Sequence, residues 1–174
     1  MVRLRPFKPQ DADEVCRWIG DDEKAFMMFT AGRYNYPLEA SEIVSRHYGF
    51  EKENDAFMMT ALDENGRVSG HFIFRMLDFE KNSAHMGFII VSPEKRGKGL
   101  GKQMVCKALN YAHDILGMNK VTLGVFENNE AAYNCYLSSG FKVKEYLKNC
   151  FEFKDEKWGL YEMEYVFENK EESK

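Results

Sequence analysis

A glycine-rich, cationic segment at residues 96–102, Arg-Gly-Lys-Gly-Leu-Gly-Lys, has a composition suited to binding an anion. Its three glycines fall within five residues, so the backbone can turn tightly and direct several N–H groups to one place. The first N–H groups of a following helix have no partner inside the helix, and the helix dipole adds positive potential there. The segment therefore predicts a site for a phosphate or pyrophosphate, with Lys95 adding charge beside it.

Two common nucleotide-binding motifs do not fit this segment. The P-loop pattern requires a hydroxyl residue after its Gly-Lys pair, but Gln103 follows Lys102, and Arg96 occupies the position of the first glycine. The dinucleotide fingerprint also fails, because Lys102 stands where its last glycine belongs. The sequence therefore disfavours a nucleoside triphosphate as the ligand.

A second group of residues follows one helix and one strand later in the chain. Its members are spaced as Asn, Ala three residues later and Tyr seven residues later, followed by Gly-Phe, and they are Asn129, Ala132, Tyr136, Gly140 and Phe141. Asn129 can cap a helix, and Ala132 and Tyr136 then lie on one face of it. The spacing predicts a capped helix with Ala132 and Tyr136 on one face, in the right order after the glycine segment.

Together the two motifs, R-x-x-G-x-G at residues 96–101 and the pattern from Asn129 to Phe141, resemble the coenzyme A site of the GNAT superfamily of N-acetyltransferases. The resemblance implies acetyl-CoA as co-substrate, an amine as acceptor and no metal. A non-catalytic acyl-CoA-binding sensor or regulatory module on the same fold is the alternative. The cofactor-binding residues implied are Ile89, Ile90, Val91, Arg96, Gly97, Lys98, Gly99, Leu100, Gly101, Lys102, Asn129, Ala132 and Tyr136.

The resemblance also implies catalytic roles. A main-chain N–H near Ile89 or Ile90 would stabilise the oxyanion formed at the thioester carbonyl. Tyr136 would be the general acid that protonates the coenzyme A thiolate, with Tyr133 as a fallback donor. Asn129 would contact the pantetheine arm.

The general base is less well defined by the sequence. An alkylammonium acceptor has a pKa near ~10, so a base must take its proton, directly or through water. His85 stands where related sequences often have glutamate, and histidine has a suitable pKa. Three further candidates remain open: His71, Glu127 and Glu162.

Two regions are candidates for the acceptor pocket. One is the connection between the first two helices, whose apolar and aromatic residues are Phe26, Met27, Phe29, Tyr34 and Tyr36. The other is residues 145–158, read as a loop before the last strand, with Glu152, Phe153, Asp155 and Trp158 as possible contacts. Core packing and a solvated loop are the respective alternatives.

Apolar periodicity and turn residues predict the elements that must position these groups. Strands are expected at residues 2–7, 56–62, 68–76, 84–91, 121–126, 141–146 and 160–167, and helices at residues 11–19, 38–48, 99–116 and 129–139. Their order, β-α-α-β-β-β-α-β-α-β-β, predicts an α+β fold. We expect a mixed, mainly antiparallel sheet of six to seven strands flanked by about four helices. Strands 84–91 and 121–126 are expected to be parallel, because a helix connects them.

Composition limits the class of protein. The chain has 174 residues, so we expect a single acyltransferase domain at residues 1–167 and a solvated tail at residues 168–174. The formal net charge of −4 argues against nucleic acid as a partner, and there is no signal-peptide pattern or membrane-length apolar run. The four cysteines lack metal-ligand spacing. We therefore expect a cytoplasmic monomer or homodimer with reduced thiols.

Overall fold

The computed structural model describes residues 1–168, and all but the first residue of the expected tail lies outside this range. A seven-stranded sheet in the order β1-β2-β3-β4-β5-β7-β6 forms the centre of the fold. All neighbouring strands are antiparallel except β4 and β5. The expected mixed sheet is confirmed. The strands are β1 (Arg3–Pro6), β2 (Phe57–Leu62), β3 (Val68–Asp78), β4 (Ser83–Val91), β5 (Lys120–Phe126), β6 (Lys142–Phe153) and β7 (Glu156–Val166).

Within residues 1–168, five α-helices flank the sheet, one more than the sequence predicted. They are α1 (Ala12–Ile19), α2 (Glu23–Thr30), α3 (Ala40–Glu53), α4 (Leu100–Asp114) and α5 (Glu130–Ser138). The additional helix, α2, occupies part of the region read as a partly helical connection. It begins where the Asp22 side chain accepts a hydrogen bond from the Ala25 N–H at 2.9 Å.

The expectation of a loop at residues 145–158 was wrong. β6 and β7 pair along most of their length and form a long hairpin, with Phe153 opposite Glu156 at its tip. Phe153 and Trp158 bury their rings against Phe126 at the end of β5, which fixes the tip of the hairpin to the sheet. The start of β6 matches the strand expected at residues 141–146, but polar and exposed residues predominate farther along, so no apolar alternation marked the rest of it as a strand.

The two faces of the sheet carry separate apolar cores. Helices α4 and α5 pack on one face, where Met104, Ala108 and Tyr136 contact residues such as Phe72 and Leu123. Helices α1, α2 and α3 cover part of the opposite face, over a core that includes Val15, Phe26, Ile43, Met58 and Ile73. The alternation of side chains along each strand therefore assigns successive residues to different helical layers.

Strands β4 and β5 separate soon after they begin to pair. Their parallel pairing, which the sequence predicted, joins only the segment from Ser83 to His85 with Lys120 to Thr122. Farther along β4, Phe88 has a positive φ of 50°, and the pairing with β3 shifts between His71 and Ile73. Such a bulge bends a strand and redirects its side chains. A gap therefore opens between the C-terminal halves of β4 and β5.

Candidate active site

The glycine segment lies between the end of β4 and the start of α4. Gly97 and Gly99 have φ values of +69° and +77°, where a side chain would be strained although nothing lies within 4 Å of the added Cβ. Gly99 is the N-cap of α4, and no side chain caps this helix. The N–H groups in the first turn of α4 are therefore open to an external acceptor, as the sequence predicted.

The basic side chains of this segment have different partners. The Arg96 Nε donates to the Val91 carbonyl oxygen at 3.1 Å, and the Lys98 Nζ donates to the Glu94 carbonyl oxygen at 2.9 Å. The Lys95 Nζ lies 2.8 Å from a carboxylate oxygen of Asp63, at the β2–β3 turn. Lys95 therefore links the loop to the β2–β3 turn. Its charge is paired with Asp63 and does not contribute to the anion site.

A cavity of about 680 Å³ lies beside this loop, between α4, α5 and the end of β4; it is called the donor cavity below. Most of the cofactor-binding residues expected from the sequence line it: Ile89, Ile90, Val91, Arg96, Gly97, Gly99, Gly101, Lys102, Asn129, Ala132 and Tyr136. Two expected residues, Lys98 and Leu100, do not line it, and the Leu100 side chain is buried in the core.

Helix α5 and its N-cap present Asn129 and Tyr136 to this cavity, along with Asn134 and Ser138. Asn129 caps the helix by accepting a hydrogen bond from the Ala132 N–H at 3.3 Å, as expected. Tyr136 is 5% exposed, and burial, with a smaller contribution from Cys135, raises the pKa of its phenol well above the usual value. Tyr133 lines neither large cavity, and its ring centroid lies 4.7 Å from that of Tyr161.

A second cavity of about 450 Å³, called the acceptor cavity below, lies on the face of the sheet that α2 partly covers. It shares five lining residues with the donor cavity: Met28, Phe29, Ile89, Asn129 and Tyr136. The two cavities therefore meet at the gap between β4 and β5. The titratable residues that line the acceptor cavity, besides Tyr136, are Arg33, Arg75, His85, Lys144 and Glu162.

His85 lies in the acceptor cavity, at the last pair of the β4–β5 ladder. Its Nδ1 is 3.0 Å from the Thr122 hydroxyl oxygen, which fixes the ring orientation. Burial lowers the pKa of His85 to about 4, and the positive charges of Arg75 and Arg33 add to this effect. The imidazole is therefore neutral at physiological pH and can accept a hydrogen bond, and the lowered pKa makes it a weaker base than an ordinary histidine.

The three other base candidates occupy different environments. His71 is fully buried near Phe7 and lines neither large cavity, and burial lowers its pKa to about 4. The Glu127 carboxylate accepts hydrogen bonds from the Tyr146 hydroxyl at 2.5 Å and the Gly159 N–H at 2.7 Å, so it holds the β6–β7 hairpin. Of the three, only Glu162 lines the acceptor cavity.

Among the aromatic candidates of the first helices, Phe29 lines both cavities. Phe26 and Tyr34 are buried in the core, and the Tyr34 ring centroid lies 5.3 Å from that of Phe88. Phe88, at the bulge of β4, also lies 5.9 Å from Phe29 between ring centroids. Some of these aromatic residues therefore pack in the core, and they support the wall of the acceptor cavity that Phe29 lines. The two alternatives from the sequence, core packing and a pocket, thus both apply.

Three cationic residues of the acceptor cavity were missed at the level of sequence. Arg33 follows α2, Arg75 lies directly opposite His85 in the β3–β4 ladder, and Lys144 lies on β6. Each comes from a different element, so no spacing along the chain could group them. Cross-strand register alone would have placed Arg75 beside His85.

Main-chain direction along β4 distinguishes Ile89 from Ile90. The Ser92 N–H donates to the Ser69 carbonyl oxygen on the β3 side at 2.9 Å. Alternation then directs the polar groups of Ile90 toward β3 and those of Ile89 toward the gap. The Val91 carbonyl oxygen accepts from the Arg96 side chain, which lies outside β3, and this is consistent with the alternation.

The described residues contain neither a candidate metal site nor a disulfide. Within residues 1–168, no group of three or more His, Cys, Asp or Glu side chains could hold a metal ion. All four cysteines lie in the described part of the chain as free thiols. Cys135 lines the donor cavity, and burial raises its pKa.

Comparison with known proteins agrees with this geometry. The chain is 26% identical over 153 residues to the spermidine N(1)-acetyltransferase of Escherichia coli (strain K12), covering 86% of this chain and 77% of that enzyme. It is 27% identical over 147 residues to the mycothiol acetyltransferase of Pseudarthrobacter chlorophenolicus, covering 80% of this chain but only 42% of that enzyme.

A solved structure gives the same fold. The spermidine N-acetyltransferase of Vibrio cholerae, in complex with CoA and spermine, superimposes with a TM-score of 0.80 at 20% identity, covering 95% of both chains. A model of the Acetyltransferase (GNAT) family matches residues 13–141, which include the glycine segment and the motif of α5. This chain therefore belongs to the GNAT acetyltransferase family.

Proposed function

We propose that this protein is an N-acetyltransferase that moves the acetyl group of acetyl-CoA to a primary amine by direct attack in a ternary complex. The observation that carries the proposal is the junction of the donor and acceptor cavities at the gap between β4 and β5. Two substrates bound on either side of this gap can meet at Tyr136 and Ile89, which line both cavities. The family match and the acetyltransferase relatives support an enzyme over a non-catalytic acyl-CoA-binding module.

The donor cavity has the features that coenzyme A requires. The uncapped first turn of α4 and the residues Gly97 and Gly99 supply N–H groups for the pyrophosphate, and Arg96 and Lys102 add positive charge. The apolar remainder of the cavity suits the pantetheine arm, because Met104, Val105 and Ala132 line it. This arrangement orients the thioester toward the gap.

The reaction begins when the neutral amine nitrogen attacks the thioester carbonyl carbon. A carbon–nitrogen bond forms, and negative charge develops on the carbonyl oxygen. The Ile89 N–H is directed into the gap, so it can donate to this oxygen as the charge develops. Asn129 lines both cavities and can donate from its amide nitrogen while its oxygen caps α5.

Two proton transfers complete the reaction. The amine nitrogen becomes acidic once it is bonded to the carbonyl carbon, and His85 accepts its proton, with Glu162 as the second candidate in the same cavity. The carbon–sulfur bond then breaks, and Tyr136 donates its proton to the departing thiolate. Burial keeps Tyr136 protonated before this step, because it raises the phenol pKa.

The proposal is tested by measuring binding and turnover separately. Acetyl-CoA should raise the melting temperature, and thiol release in the presence of an amine panel should be matched by the mass of one acetylated amine. An acetyl-CoA-dependent rise in melting temperature without thiol release for any amine would support the non-catalytic module instead. No rise at millimolar acetyl-CoA would refute the donor site itself.

We further infer a cytoplasmic protein that acts as a monomer or homodimer, without nucleic acid or membrane as partner. The free thiols at all four cysteines support a reducing compartment. No helix within residues 1–168 is long and apolar enough to cross a membrane. A structure of the V. cholerae spermidine N-acetyltransferase is described as dodecameric, so sedimentation of this protein is needed to decide its assembly.

A further inference from the structure

We propose that the acetyl acceptor is an amine that also carries an oxyanion, a carboxylate or a phosphate, and that Arg75 and Arg33 bind this group. The inference rests on the proposed function, because it assigns the acceptor cavity to the amine substrate. It distinguishes this chain from relatives named for spermidine, which is a polycation.

The charge of the acceptor cavity is the first argument. Three cationic side chains line it, those of Arg33, Arg75 and Lys144, against the one carboxylate of Glu162. The protein as a whole has a formal net charge of −4, so the cavity is positive within an acidic molecule. Such a cavity repels a polyamine and attracts a substrate that carries negative charge.

These cationic side chains also lack an ion-pair partner in the described part of the chain. None of the three forms an ion pair with a carboxylate anywhere in residues 1–168. The Arg75 Nε is buried and has no hydrogen-bond acceptor among these residues. Buried polar groups are normally paired, so an unpaired donor beside a cavity indicates a ligand acceptor. The guanidinium fork matches the two oxygens of a carboxylate or phosphate.

The surroundings of Arg75 hold its side chain at the cavity. Its guanidinium carbon lies 5.8 Å from the ring centroid of Phe88. A Cβ added to Gly87 would come within 3.3 Å of the Arg75 Nε, so this glycine leaves room for the side chain to cross β4. Arg33 lines the same cavity, and burial together with the positive charge of Arg33 lowers the pKa of Arg75.

The register of β3 and β4 limits the size of the acceptor. Arg75 and His85 are directly opposite each other, and a Cβ added to Gly87 would lie 3.3 Å from the Arg75 Nε and 3.9 Å from the His85 Nε2, so both side-chain ends lie near one point of the cavity wall. If Arg75 binds the oxyanion and His85 takes the amine proton, the two groups of the substrate are separated by only a few bonds. A free amino acid fits this separation, and phosphoethanolamine is the smallest phosphate that fits it.

The experiment compares amines that differ only in the oxyanion. Thiol release from acetyl-CoA is measured with the twenty L-amino acids and their carboxamides, with phosphoethanolamine and ethanolamine, and with spermidine. We expect kcat/KM for the best anionic acceptor to exceed that of its neutral counterpart and of spermidine by roughly 10- to 100-fold. The carboxylate and phosphate arms show which oxyanion is used.

Two variants assign the effect to the guanidinium groups. Arg75→Gln should reduce kcat/KM for the anionic acceptor by roughly 10- to 100-fold and leave the Kd for acetyl-CoA unchanged, because Arg75 does not line the donor cavity. Arg33→Gln, at an exposed position, should act in the same direction. Arg17→Gln is the matched control, since Arg17 pairs with Glu14 on the surface of α1.

The outcomes separate this inference from the proposed function. Equal or faster turnover of carboxamides, ethanolamine or spermidine overturns the oxyanion site but leaves the acetyltransferase intact. If acetyl-CoA binds but no amine is acetylated, the proposed function fails. The existence of the oxyanion site is then tested by measuring melting temperatures. At saturating coenzyme A, adding a mixture of N-acetyl-L-amino acids should raise the melting temperature of the wild type further, but not that of Arg75→Gln. Equal shifts from the corresponding amides overturn it.

Discussion

Replacing Tyr136 by phenylalanine removes one hydroxyl group from the point where the two cavities meet. The expected loss in kcat follows from the position and acidity of this phenol. A phenol pKa of ~10 already exceeds the ~8.5 of an ordinary thiol, and burial raises the pKa of Tyr136 further, so proton transfer to the thiolate is uphill. General acid catalysis contributes about 10²- to 10⁴-fold, and an uphill transfer belongs at the lower end. We therefore expect kcat to fall about 10²-fold, which corresponds to about 2.7 kcal/mol.

The assay for this variant follows thiol release at saturating acceptor, with the Kd for coenzyme A measured by calorimetry. The Kd should stay within about threefold of wild type, because the glycine segment and Asn129 are unchanged. Tyr133→Phe is the matched control, since Tyr133 lies on the same helix, packs on Tyr161 and lines neither large cavity. A Tyr136→Phe protein that binds coenzyme A normally and retains nearly full kcat would refute the reasoning.

Three further predictions concern binding and stability. Gly99→Ala places a side chain at a φ of +77°, so it should raise the Kd for acetyl-CoA about tenfold, whereas Gly49→Ala, within α3, should leave this Kd unchanged. Burial lowers the pKa of His71 and His85 from 6.5 to about 4, so between these pH values the unfolded chain binds more protons than the folded chain. The free energy of unfolding, measured by urea titration, should therefore decrease as the pH falls from 6.5 to 4; an unchanged value would contradict this. Asp11→Asn removes the charge of a buried carboxylate paired with an arginine, and should lower the urea-derived free energy of unfolding by roughly 3 kcal/mol. A loss below about 0.5 kcal/mol would show that the pair contributes little.

The donor half of the site was predictable from sequence because its signals are local. Glycines at residues 97, 99 and 101 and the cap at Asn129 act on the backbone within a turn or two, and spacing along the chain records them. Tyr136 follows from the same helix. The expected parallel pairing of β4 and β5 also depended on neighbouring elements, since one helix connects them.

The acceptor half was not predictable because its residues meet only through the folded sheet. Arg75 reaches His85 by cross-strand register, and Lys144, on an expected strand, reaches the cavity only through the pairing of β6 with β7. The role of Glu127 was equally hidden, because its carboxylate binds Gly159 and Tyr146, both distant in sequence. These contacts depend on strand register and burial, and neither can be read from a short stretch of sequence.

The central claim is that the donor and acceptor substrates meet at the gap between β4 and β5. A crystal structure with acetyl-CoA bound tests it most directly. We predict that the pyrophosphate contacts the N–H groups of residues 97–102, that the pantetheine passes between Ile89 and Asn129, and that the thioester carbonyl lies within hydrogen-bonding distance of the Ile89 N–H. Acetyl-CoA bound with its thioester away from Tyr136 and the gap would contradict the account.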